Sequence, residues 1–335
     1  MSLLFYNISE ESRKGAISVG TDGITLKTHK RKNGFFRELS KNKLLFLMVL
    51  PAVAFVFLFN YVPFAGIVIA FKDFMYNKGI FGSKWVGFKN FEFMFKSGSI
   101  KRVTINTVVY NVIFITVDLV FKISVAVILS EIVGKKFAKV SQTMILLPFF
   151  VSWVVAGAIV YNILGTDVGI INGIRVAQGL ERISFMNTPK YWPYIFVIFH
   201  VWKGLGYGTV VYLSAITGID QEIYEAAEID GANVFQRIFH VTLPMLKPTV
   251  IVLLLLSVST ITKGDFAMFY NLTGNSPLLL EVSDIIDTFV YRTLSSSQNF
   301  SMAGAAGIYQ SVMGFIIIMT VNGLVRKAQP EYALF

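Results

Sequence analysis

The sequence predicts an all-α transmembrane protein, and three observations carry that reading: a charge-poor composition, six long apolar runs, and a basic stretch directly before the first run. Of the 335 residues, 54% are apolar and only 15% charged, outside the usual balance of a soluble domain. A spanning helix needs about 20 mostly apolar residues. Runs of that kind lie near 44–62, 103–130, 140–164, 191–217, 241–262 and 303–325. Lys27, Lys30, Arg31, Lys32, Arg37, Lys41 and Lys43 precede the first run and place the tail, 1–43, on the cytoplasmic side.

No signal peptide is expected, because those first 43 residues are polar. The first run carries no charge, and Pro63 separates it from a stretch, Phe64 to Phe71, too short to span alone. The second contains Asp118 and Lys122, and the third has a kink expected at Pro148. Six spans return the C-terminal tail, 326–335, to the side of the N-terminus. Lys and Arg are in modest excess in the loops assigned to the cytoplasm, so orientation rests mainly on the tail. The outer connections are too long for simple turns and are expected to bind something.

Composition also removes several function classes. With no cysteine there are no disulfides, thiolate metal sites or cysteine nucleophiles, and three histidines make a histidine-rich metal site a poor reading. The net charge of +10 would suggest nucleic acid in a soluble protein, but here it is concentrated in loops and tail, where topology explains it. A P-loop needs Gly-Lys followed by Ser or Thr; Gly134-Lys135 is followed by Lys136, so ATP hydrolysis by this chain is not expected.

The connection from Asp220 to Pro244 is the most informative segment. Asp220 can cap a helix with Glu222 in its first turn, where negative charge suits the helix dipole. Gly231 supplies a turn. A second helix follows, with Val234, Phe235, Ile238 and Phe239 on one face, and Pro244 and Pro248 fix where the fifth span begins. A helix lying on the membrane surface would show basic residues on its polar face, whereas Glu222, Glu225, Glu228 and Asp230 make this one acidic. Two short helices meeting at a glycine make a rigid plug.

Glu225-Ala226-Ala227, Gly231, then Val241, Leu243 and Pro244 resemble the EAA loop of type I ABC importer permeases. Val241 stands where that family usually has isoleucine. "NYVPFAGIVIAFKDF" (60–74) and "SDIIDTFVYR" (283–292) are similar to its carbohydrate-uptake branch, in particular the polysaccharide and alginate-importer subgroup. The resemblance implies a six-helix permease core in a bacterial inner membrane, with ATP and Mg on two partner ATPase subunits and no cofactor in this chain. It further implies a second permease subunit, usually a different chain, and an external sugar-binding protein. Glu222, Glu225, Ala226, Ala227, Asp230, Gly231, Leu243 and Pro244 would form the ATPase-docking site, with Glu225 making the polar contact and the alanines allowing close approach.

Within the spans, Asp118 and Lys122 stand four apart in the favourable helical order. A charge at mid-bilayer costs about 2.5 to 3.5 kcal/mol, so each must face protein, water or a partner, as a structural pair or beside a pathway. "HVWKGLGYG" (200–208) sets His200, Trp202, Lys203 and Tyr207 among three glycines, which serves either close helix packing or sugar contact. Candidate pathway residues are Asn106, Tyr110, Asn111, Trp153, Asn162, Trp202, Lys203 and Tyr207. Ala303, Gly307 and Ser311 repeat at four and read as helix packing. The rival functions are an ion-gradient-driven sugar transporter and a polytopic membrane transferase. The nearest paired carboxylates for the latter are Asp284 and Asp287, read as structural or docking residues. Basic outer loops and two lysines within spans suit an acidic oligosaccharide cargo slightly better than a neutral one.

Overall fold

The computed structural model describes residues 42–333, so the predicted cytoplasmic tail lies almost wholly outside the described residues, as do Leu334 and Phe335. The chain divides into two units, Met1–Ala65 and Gly66–Phe335. The described part of the first unit is helical and has no buried residue. Its exposed side chains are almost all apolar, as a lipid-facing span requires.

Among the described residues, five helices are long and apolar enough to cross a membrane. They are α1 (Lys43–Phe71), then Ser99–Ser130, Pro189–Thr217, Val234–Ser259 and Phe300–Lys327. Pro63 does not end α1 as predicted. A π-turn at Phe57–Tyr61 and 3-10 winding over Val62–Phe71 carry the helix past it, because both depart from the i→i−4 pattern that proline would break.

After α1 come a two-stranded antiparallel hairpin, β1 (Lys72–Asp73) and β2 (Lys84–Trp85), and the short helix α2 (Lys89–Lys96). The second span is α3 (Ser99–Ser130), followed by α4 (Lys135–Leu146). A 3-10 turn, Leu147–Phe150, then leads to α5 (Trp153–Leu164), and the two arms meet at 97°. The expected kink at Pro148 is therefore a near right angle at Val151-Ser152, where Ser152 starts α5 by accepting from Val155 N at 3.3 Å. Taken together as one crossing, this bent pair brings the count to six.

Next are α6 (Ile170–Ala177), α7 (Trp192–Thr217), α8 (Gln221–Ile229), α9 (Val234–Arg237) and α10 (Leu243–Ser259). Here too a boundary moves. The second loop helix and the fifth span form one helical run, Val234–Ser259, because a π-turn at Ile238–Thr242 precedes Pro244. Beyond it lie α11 (Phe266–Thr273), α12 (Ile286–Ser295) and α13 (Phe300–Ala328).

Three cores hold Gly66–Phe335 together, and α3 passes through all of them. Near its start, Ile100 and Val103 pack with Met94, Ile286, Phe289 and Ala306. In its middle, Tyr110 and Phe114 join an aromatic cluster with Trp192, Phe196 and Phe269. Towards its end, Ala126 and Val127 meet Tyr212, Ile216 and Leu246. Between spans, lipid tails are as apolar as leucine, so close packing and internal hydrogen bonds hold the helices rather than escape from water. Glycine makes one approach possible: a Cβ on Gly206 would lie 2.3 Å from the Ile145 carbonyl oxygen of α4. The predicted packing stripe on α13 is only partly used. Ala303 is buried, but a Cβ on Gly307 would meet no described atom within 4 Å; one on Gly304 would be in ordinary contact with Ala70, and the tight approach falls on Gly314, where a Cβ would lie 2.7 Å from Thr262 Oγ1.

Candidate functional site

The connection between α7 and α10 is built by local capping. Asp220 accepts from Glu222 N at 3.1 Å and starts α8, which has no buried residue. Gly231, at φ +78°, takes the left-handed conformation and lets Ala232 N donate to the Ala227 carbonyl at 2.9 Å, closing the helix end. Asn233 and Gln236 then form a reciprocal capping box, at 2.9 and 2.8 Å, that opens α9.

Glu222, Glu225, Ala226, Asp230 and Gly231 are all exposed along α8 and its end. Ala227 is half-buried, and Pro244 is exposed at the start of α10. Leu243 differs from the others, since it packs against the core around Ala126 and Leu246 and so belongs to the frame. Of the apolar face predicted on the second helix, Ile238 joins the same core, while Phe235 and Phe239 stay exposed at 73% and 61%. Together with Ile229, 87% exposed, they leave large apolar side chains bare beside the acidic helix.

Two cross-links fix α8 to this frame. Tyr224 and Thr242 share a hydroxyl hydrogen bond of 3.0 Å. Arg237 donates to Glu228 on α8 and, at 3.4 Å, to Glu131, the residue that follows α3. Sequence reasoning missed Glu131, Arg237 and Tyr224. The available signal was a lone acid ending a span whose next loop holds Lys135, Lys136 and Lys139.

Within the spans, Lys122 Nζ lies 2.6 Å from Asp118 Oδ2, which His200 Nε2 also approaches at 3.2 Å while its ring stacks on Phe114 at 4.0 Å. The lysine stem lies across α7 at Gly208, where a Cβ would come within 2.2 Å of Lys122 Cδ. The α7 glycines thus admit the α4 backbone at Gly206 and a charged side chain at Gly208. A cavity of about 350 Å³ opens here, lined by Asp118, Lys122, Tyr207, Tyr212, Ser257 and Thr260 among others.

The remaining candidate pathway residues are dispersed, and most are committed to the protein's own groups. Lys203 Nζ donates to the carbonyls of Phe149, at 2.7 Å, and Val151, capping the broken end of the 3-10 turn. Tyr207 stacks on Phe149, and Trp153 Nε1 donates to Asp265 Oδ2 at 2.8 Å. Asn106 donates to the Glu281 and Asp284 carbonyls, Tyr110 to that of Val282 and Asn111 to that of Lys263. These tie α3 to the segment between the last two spans. Asn162 donates to its own helix at Ala158, and Trp202 packs at the edge of the aromatic core.

Asp284 is fully buried under a two-pronged Arg292 contact of 2.8 and 2.6 Å, with Thr288 at 3.0 Å and Arg102 at 3.7 Å. Asp287 accepts from Gly264 N at 2.7 Å and Gln310 at 3.1 Å. Both carboxylates are committed to the protein's own groups, which fits the structural side of the expectation that they are structural or docking residues.

Long apolar helices around cores threaded by one span, with an acidic helix exposed between two of them, define a polytopic membrane protein. The chain belongs to the family described as binding-protein-dependent transport system inner membrane component, whose model matches residues 122–329. It is therefore a transport permease subunit of the inner membrane. The polygalacturonan/rhamnogalacturonan transport system permease protein YteP of Bacillus subtilis (strain 168) is 35% identical over 310 residues, covering 92% of this chain and 96% of that protein. Protein LplB of the same organism is 34% identical over 297 residues, covering 88% and 92%. Among solved structures, a bacterial ABC transporter involved in the import of the acidic polysaccharide alginate matches with a TM-score of 0.80 and 30% identity, over 88% of this chain and 99% of that one. A bacterial alginate ABC transporter in complex with an alginate pentasaccharide-bound periplasmic protein matches at 0.79 and 29%, over 88% and 98%.

Proposed function

We propose that this chain translocates an oligosaccharide inward when ATP-driven closure of two partner ATPase subunits acts on α8. The observation that carries this reading is the exposed acidic helix, capped at both ends and cross-linked to the fifth span, whose Arg237 in turn reaches the end of the second. Rigid support lets a push at the helix become a movement of spans, and ATP can drive transport only through an element whose position differs between two arrangements of the bundle. Glu222, Glu225, Ala226, Asp230 and Gly231 face the ATPase, and ATP and Mg are held there, in the partner subunits. A second permease subunit completes the membrane pathway, an external binding protein delivers the cargo, and both termini lie in the cytoplasm.

The cargo is proposed to be an acidic oligosaccharide. The names of YteP and of the alginate transporters support a polysaccharide-derived substrate, and that of the importer of the acidic polysaccharide alginate supports an acidic one. The test is to rebuild the complex in lipid and measure which oligosaccharide, with its binding protein, stimulates ATP hydrolysis. Stimulation by neutral sugars alone would remove the acidic assignment, and uptake that survives removal of every ATPase would remove the coupling.

Glu225→Lys tests the docking role. Because Glu225 is exposed, stability should change by no more than about 0.5 kcal/mol. ATPase co-purification should weaken and uptake should be abolished. Normal uptake by a folded, inserted variant would show that Glu225 makes no such contact.

A further inference from the structure

We infer that Arg237 is the positioning residue that couples the docking helix to the second span, an inference that rests on the reading of α8 as the ATPase-docking element. No residue of α8 is buried, so packing does not fix it. Its two side-chain cross-links are Tyr224 to Thr242 and Glu228 to Arg237. Among the described residues only Arg237 reaches further, to Glu131 at 3.4 Å. Those two residues are 106 apart in sequence, so this contact belongs to the tertiary fold and not to the loop.

The environment gives the contact leverage. The Arg237 side chain is 16% exposed and that of Glu131 26%, which shields their pairing from solvent more than an ordinary surface pair. Glu228 is 61% exposed, so its arm alone adds little stability and serves to orient the guanidinium. Arginine's planar fork can hold two carboxylates at once, whereas an ammonium acts as a single compact charge. Arg237 Nε is buried without a hydrogen-bond partner among the described residues, so the side chain is committed to this position at some cost.

Beyond Glu131 the path is one element. α3 is an unbroken helix of 32 residues that enters all three cores and carries Asp118 and Lys122 in its membrane section. A displacement of α8 therefore reaches the end of α3 through Arg237, alongside the packing of Ile238 and Leu246 on Ala126 and Val127, or breaks the ion pair. Packed helices shift as bodies between discrete arrangements, so a pull at Glu131 moves the charged cavity as well.

The test uses the full complex rebuilt in lipid, with three readouts: ATPase co-purification, hydrolysis stimulated by loaded binding protein, and uptake per ATP. Arg237→Gln should keep its ATPase subunits while uptake per ATP falls about tenfold or more. Glu131→Gln should fall to a similar degree, the double variant no further than either single, and Arg237→Lys should recover only part. Normal uptake per ATP in either single variant would overturn the inference, as would a double variant whose loss is the product of the two. Loss of ATPase co-purification in Arg237→Gln would place the residue in the docking surface and overturn it too. If Arg237→Gln fails to fold, Glu131→Gln carries the test, because its side chain, at 26% exposed, is the more accessible of the pair and can rehydrate. Failure of the parent reading is separable: Glu225→Lys would then keep both its ATPases and its uptake.

Discussion

Two acidic regions of this molecule use the same functional group in opposite ways. Around Asp284, a fully buried carboxylate accepts from both prongs of Arg292 and lies near Thr288 and Arg102. Along α8, Glu222, Glu225 and Asp230 are exposed, and the cross-links of that helix run through other residues, Tyr224 and Glu228. A carboxylate enclosed by cations stabilises its own chain and has nothing left for a partner. Carboxylates left bare on a supported helix keep their charge for one. Exposure on a rigid frame, and not acidity alone, separates the proposed docking surface from the scaffold.

The largest break in that comparison should come at Asp284. Asp284→Ala leaves two guanidinium groups without their anion and should destabilise the protein by about 3 kcal/mol, at the lower end of the range for a broken buried pair because Arg102 is partly exposed. Thermal unfolding of the solubilised protein measures it, and a midpoint equal to the parent's would remove the structural assignment.

A smaller effect is expected at Gly206, where packing rather than charge is at stake. Gly206→Ala forces a methyl group against the Ile145 carbonyl and should cost about 1–3 kcal/mol, while Gly307→Ala, with open space, should stay within about 0.5 kcal/mol. Equal melting of the two variants would show that α4 can retreat from α7. A smaller loss than at Gly206 belongs to Tyr224→Phe, which deletes one half-buried hydroxyl contact and should lower stability by about 0.5–1.5 kcal/mol. Hydrogen exchange along α8 should then quicken while the Asp284 region keeps its protection. Unchanged exchange would mean that Arg237 alone positions the helix.

Local chemistry was legible in the chain. Asp220 as a cap, Gly231 as a left-handed turn and Asp118 paired with Lys122 need only spacing a few residues long, and each sits as expected. Helix boundaries near proline were not legible. At Pro63 and Pro244 a π-turn accommodates the ring, and that choice depends on how much winding the neighbours tolerate. The polar pathway candidates also read differently in the fold. Asn106 and Tyr110 donate to carbonyls more than 170 residues away, at Glu281 and Val282, and Lys203 splints a broken helix that its own neighbourhood does not reveal.

By itself the sequence determined that the chain spans a membrane, that it is helical, and that an acidic, glycine-turned helix lies between the fourth and fifth spans. Those properties follow from hydropathy, from period and from capping, which act over a few turns of chain. The tertiary structure alone decided which charges are enclosed and which remain available. It also decided that Arg237 meets Glu131, because the partners of a side chain are set by which helices pack together, and that is not written in any local window.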